Sequence, residues 1–130
     1  MYGFEDPSRP HILALDLDGT VLSYDGNFDI KKFGQVVKGM VEELTKLKDA
    51  GWAIVIWTCR PDSEDLRNHL NEQGIPFDYV NGHPWAGNNS PKLFADVYVD
   101  DNCLRFDGVS DGLSDCIMSH KPWWRFNNQI

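Results

Sequence analysis

A chain of 130 residues that is 42% hydrophobic and 25% charged has the size and make-up of one ordinary globular domain. Its formal net charge of −8 argues against a nucleic-acid binder that works through a broad basic face, but not against one that engages a single phosphate end. No apolar run reaches the roughly 18 residues that cross a bilayer. The start, Met1-Tyr-Gly-Phe-Glu-Asp, lacks the basic patch and apolar stretch of a secretory signal. Cys59, Cys103 and Cys116 are irregularly spaced and make neither an even disulfide framework nor a CxxC metal site. A reducing, cytoplasmic location with no membrane partner is the expectation.

Residues 12–17, Ile-Leu-Ala-Leu-Asp-Leu, form an apolar run ending in acid, the pattern of a strand buried on both faces. Turn formers follow from Asp18 to Asn27 and predict a small hairpin or flap over about 21–33. Val36, Val37, Met40, Val41, Leu44 and Leu47 recur at helical spacing, with Gly51 as the stop. Residues 53–58, Ala-Ile-Val-Ile-Trp-Thr, read as a second buried strand. Pro61-Asp-Ser-Glu opens a helix carrying Leu66 and Leu70 and ending at Gly74, by the usual proline-first, glycine-last asymmetry. A short strand is expected at 77–80, a turn of helix at 92–94, a strand at 96–99 and an edge strand at 115–118.

Strands alternating with helices imply right-handed crossovers and a mostly parallel sheet in a three-layer α/β/α sandwich of Rossmann type, one domain over 1–130. Ligands of such sheets bind at the carboxyl ends of the strands. Three predicted strands end in polar residues there: Asp16 with Asp18, Thr58 with Arg60, and Asp100 with Asp101. In extended chain, residues two apart share a side, which turns Asp16 and Asp18 toward one site. Four acids in one crevice raise one another's pKa and call for a divalent ion, and all-oxygen ligation suits Mg²⁺. An EF-hand loop is ruled out, because Gly19 falls fourth and Asn27 twelfth where Gly sixth and Glu twelfth are required. Thr58 either holds a phosphoryl oxygen or is an ordinary strand-end threonine. Arg60 either contacts substrate or makes a surface ion pair. Lys92, with Ser90-Pro91 as a helix start, is the cation that would offset charge built up in phosphoryl transfer.

In the order Asp16-Leu-Asp-Gly-Thr20, Thr58, Lys92 and Asp100-Asp101, these residues resemble the four motifs of the haloacid dehalogenase superfamily, over about residues 11–102. The resemblance implies a phosphatase in which Asp16 attacks phosphorus to form an aspartyl-phosphate and Asp18 is the general acid and base. It implies Mg²⁺ held by Asp16, the Asp18 backbone carbonyl, Asp100 and Asp101, with Thr58 and Lys92 on the phosphoryl group. Only 37 residues separate Thr20 from Thr58 and 33 separate Thr58 from Lys92, which leaves no room for a cap domain. The substrate class stays open among phosphorylated molecules. A metal- or phosphate-binding module with little turnover and a nucleic-acid end-processing phosphatase are the alternatives. His83-Pro-Trp-Ala-Gly-Asn-Asn89 either shapes the pocket or is a surface loop. The aromatic tail over about 119–130, with Trp123, Trp124 and Phe126, is expected to pack back on the domain, or to join copies of the chain in a homo-oligomer.

Overall fold

The computed structural model describes residues 3–86 and 91–125. Its frame is a four-stranded parallel sheet, β1 at Ile12–Leu15, β2 at Ala53–Ile56, β3 at Tyr79–Val80 and β4 at Val97–Val99, in the order β3-β2-β1-β4. All four residues of β1 and all four of β2 are buried, so these central strands are apolar on both faces, as the sheet demands. Register pairs Leu13 with Ile54 and Leu15 with Ile56. Those four side chains form one face of the sheet, and Ile12, Ala14, Ala53 and Val55 form the other.

Helices α1 (Met40–Asp49) and α2 (Glu64–Glu72) both cover the first face, through Leu44 on α1 and Leu66 and Leu70 on α2. Two successive right-handed crossovers that step the same way across a sheet must deposit their helices on the same side. The Ser63 hydroxyl caps α2 by accepting from the Leu66 N–H at 3.1 Å, a contact that stabilises by about 1 kcal/mol. On the way back from β3 to β4 the chain covers the second face with Trp85, Leu93, Phe94 and Ala95. Among the described residues this layer of the Rossmann-like fold is irregular chain.

Several expected boundaries move. Helix α1 begins at Met40, not near Val36, because Gly39 takes a left-handed φ of 85°. Val36 instead bridges Leu22 in antiparallel fashion, and the Val37 N–H bonds to the Val21 carbonyl at 2.8 Å. The spacing of Val36 and Val37 from Met40 mimics a helix face but belongs to an extended segment. No helical turn occurs at 92–94. The Tyr98 hydroxyl donates to the Leu93 carbonyl and receives the Ala95 N–H, and this ties the segment to β4. Ser90, expected to start that turn, lies outside the described residues, as do Asn88, Asn89 and Phe126. The predicted edge strand at 115–118 is part of a helix, α3 (Leu113–Ser119). A short apolar run without alternation does not distinguish the two, and Ile117 and Met118 are exposed rather than paired in the sheet.

Candidate functional site

The parallel ladder carries one residue past β1, where the Asp16 N–H bonds to the Val99 carbonyl at 2.9 Å. This brings Asp16 to the carboxyl end of the sheet beside the two acids that follow β4. Oxygens of Asp16, Asp100 and Asp101 lie within 4.8 Å of one another. Thr20, inside the acidic loop, joins them. Its hydroxyl donates to Asp16 Oδ2 at 3.0 Å and accepts the Asp101 N–H at 3.1 Å. The loop turns at Gly19, whose φ of +89° suits glycine, and a Cβ there would run into the Asp101 carboxylate.

Electrostatics separates the three acids. Burial above all, then a carboxyl–carboxylate hydrogen bond with Asp101 and the charge of Asp100, pushes the Asp16 carboxyl up to about 8. Burial also raises Asp100. Burial acts in the same direction on Asp101, but hydrogen bonds from Asp16, the Trp124 indole and Asp100 outweigh it and hold that carboxyl below its ordinary value. Of the three, Asp16 most favours its protonated form and Asp101 its ionised form. An all-oxygen set of this charge fits Mg²⁺, whose binding would displace the Asp16 proton.

The structure unites three of the four expected acids and separates the side chain of the fourth. Asp18 faces Arg60, which reaches Oδ2 through Nε at 2.7 Å and Oδ1 through Nη2 at 3.0 Å. Arg60 is 3% exposed, so its expected surface ion pair is a buried one. Its remaining N–H groups bond the flap carbonyls of Asp29, Ile30 and Lys32 at 2.8–3.3 Å. The guanidinium also lies over the rings of Phe28 and Phe33, at 4.8 and 4.4 Å from their centroids. Here all five guanidinium donors are engaged, and one arginine ties together the acidic loop, the end of β2 and the flap. Asp18, Tyr24, Asn27, Lys32, Phe33 and Arg60 line a cleft of about 390 Å³ on the flap side.

Thr58 stands at the end of β2, with its hydroxyl accepting the Arg60 N–H at 3.1 Å. Asn81 holds this turn from the next strand end. Its Oδ1 accepts the Thr58 N–H at 2.8 Å and its Nδ2 donates to the Arg60 carbonyl at 2.9 Å. Lys92 is exposed, with its ammonium 5.3 Å from the centroid of the Tyr98 ring. Trp85 packs edge-on against Tyr79 at 5.9 Å in the second core, so it serves packing. Sequence reasoning quoted Thr20 without a role and passed over Asn81. The signal for Asn81 was an Asn-Gly step directly after a short strand, where a positive φ (57° at Asn81) is tolerated.

No family model matches the chain, and no curated protein does either. Among solved structures it is similar to a conserved protein from Bacteroides thetaiotaomicron, with 23% identity and a TM-score of 0.59 over 87% of this chain and 93% of that one. At that identity the likeness shows the fold alone, an α/β protein built on a parallel Rossmann-like sheet. Within the described residues no helix is long and apolar enough to cross a membrane.

Proposed function

We propose that the chain is a Mg²⁺-dependent phosphatase of the haloacid dehalogenase type, hydrolysing a phosphate monoester through an aspartyl-phosphate on Asp16. The observation that carries this reading is the meeting of Asp16, Asp100 and Asp101 at the carboxyl ends of β1 and β4, with their oxygens within 4.8 Å, where parallel sheets bind ligands. Asp16, Asp100 and Asp101 would hold the ion, which when bound offsets the charge of the phosphoryl group. Asp16 must lose its proton to attack, and Thr20 keeps its Oδ2 in place by hydrogen bond. The Thr58 hydroxyl and the turn held by Asn81 would receive phosphoryl oxygens. Lys92 would add positive charge from the side of Tyr98. Asp18 would protonate the leaving oxygen and then activate water, which requires it to turn from Arg60 toward Asp16.

That last requirement favours a second reading. An Asp18 carboxylate held on both oxygens by a buried guanidinium suits a metal- and phosphate-binding module with little turnover. Phosphate release from an aryl phosphate, with and without Mg²⁺, separates the two. Metal-dependent turnover that falls at least about 1,000-fold in Asp16→Asn, with the fold intact, supports the enzyme. Full turnover in that variant overturns the nucleophile assignment. Mg²⁺ and phosphate-analogue binding without turnover supports the module.

A further inference from the structure

The segment from His120 to Arg125 lies beyond the residues that carry the motifs, yet it lies across the acidic loop. His120 Nε2 is 3.2 Å from the Asp101 carbonyl, and the Trp123 indole donates to the Gly19 carbonyl at 2.5 Å. The Trp124 indole N–H donates to Oδ2 of Asp101 itself. Trp124 is held from its other side by Tyr24, edge to face with centroids 4.9 Å apart. Pro122, just before the two tryptophans, is buried. A Cβ on Gly19 would strike the Trp124 Nε1 as well as the Asp101 carboxylate. The bare backbone at Gly19 is therefore what lets the indole reach the acid.

An indole N–H is a donor only and ligates no metal. What it does to a carboxylate is fix its rotamer and favour its ionised form, the part that outer donors play around metal-ligating side chains. Asp101 is half-buried beside the Asp16 and Asp100 carboxyl groups, and the Trp124 indole is the donor that reaches its Oδ2 from outside that cluster. Resting on the phosphatase reading, we infer that Trp124 is a positioning residue of the metal site: its indole holds the Asp101 carboxylate where one oxygen stays with those of Asp16 and Asp100. A strap that merely blocks the site predicts the opposite sign, since deleting the indole N–H would then free Asp101 for the ion.

Trp124→Phe keeps an aromatic ring against Tyr24 and removes the N–H. Trp123→Phe removes the neighbouring indole donor, which serves a backbone carbonyl rather than an acid. Mg²⁺ is titrated calorimetrically into wild type and both variants, with circular dichroism confirming the fold of each. The inference expects Trp124→Phe to raise the Mg²⁺ Kd about 10- to 100-fold. It expects kcat at saturating Mg²⁺ to stay within about threefold, and Trp123→Phe to change Kd by less than about twofold, because neither change removes a ligand. An unchanged or tighter Kd in Trp124→Phe overturns it, and so does an equal loss in both variants, which would mean general loosening of the tail. Wild-type protein that takes up no Mg²⁺ overturns the phosphatase reading and this inference with it. Wild-type uptake with an indifferent Trp124→Phe overturns the inference alone.

Discussion

The two ends of the same sheet treat aspartate in opposite ways. At the amino-terminal end, Asp96 accepts the Ile12 N–H at 2.7 Å and pairs with Arg9 at 2.8 Å, while Asp78 accepts the Ile54 N–H and pairs with Lys48, both at 2.7 Å. Each of these acids has a base and ties one strand to the start of its neighbour. At the carboxyl-terminal end, Asp16, Asp100 and Asp101 crowd one another, and the buried cation nearby is held by Asp18. The Arg9 guanidinium keeps the Asp96 carboxyl below its ordinary value, whereas burial foremost lifts Asp16 to about 8. Paired acids stabilise the fold, and crowded ones store a repulsion that a cation relieves. The contrast sets the paired acids of the fold apart from a crowded cluster without appeal to any relative.

The largest test of this contrast falls on the paired acid at the carboxyl-terminal end. Arg60→Met removes one partner of a buried pair and leaves Asp18 uncompensated, so it should cost about 3–5 kcal/mol of unfolding free energy in urea. A loss below about 1 kcal/mol would show that the flap and Asp18 do not depend on Arg60. Next in size, Asp96→Ala strips a charged partner from Arg9 and an acceptor from the Ile12 N–H, and should cost about 2 kcal/mol. Asp16→Asn should act with the opposite sign in metal-free protein, leaving stability unchanged or raising it. It should also abolish the rise in Tm expected on adding Mg²⁺ to wild type. If Asp16→Asn destabilises the metal-free protein as Asp96→Ala does, the two ends are not different in kind.

The most gradual effect is a slope with pH. In metal-free protein, folded Asp16 keeps its proton up to about 8, while the unfolded chain releases it near 3.9. Between those values the folded state binds more protons, so this residue makes stability fall as pH rises, and the slope ends above about 8. Asp96, lowered by Arg9, works the other way: its contribution is full above the unfolded pKa and is lost as pH falls through the folded one. Mg²⁺ bound among these acids would displace the Asp16 proton, so the gain in Tm on adding Mg²⁺ should grow steadily between about pH 5 and 8. A gain independent of pH would place the ion elsewhere.

Much of the fold was legible because burial leaves a strong local trace. Ile12–Leu15 and Ala53–Ile56 are apolar at every position, and only a strand covered on both faces asks for that. Their polar ends predicted where the sheet would gather its acids, and Asp16, Asp100 and Asp101 do meet. The errors fell where local pattern is degenerate. The Val36–Met40 spacing fits a helix face and a bridged strand alike, and residues 115–118 form a run too short to tell helix from edge.

The sequence by itself determined the parallel α/β frame and the edge at which its acids collect, because both follow from hydrophobic periodicity and from polar residues at strand ends. Tertiary structure alone decided how those acids divide. Asp16 and Asp18 are two residues apart and look equivalent in the chain, yet one joins Asp100 and Asp101 and the other closes on Arg60, 42 positions away. Trp124 reaches Asp101 from 23 residues downstream. Charge pairing and indole contacts act through space and carry no period along the chain, so only the folded arrangement reveals which acid is neutralised and which are left crowded together.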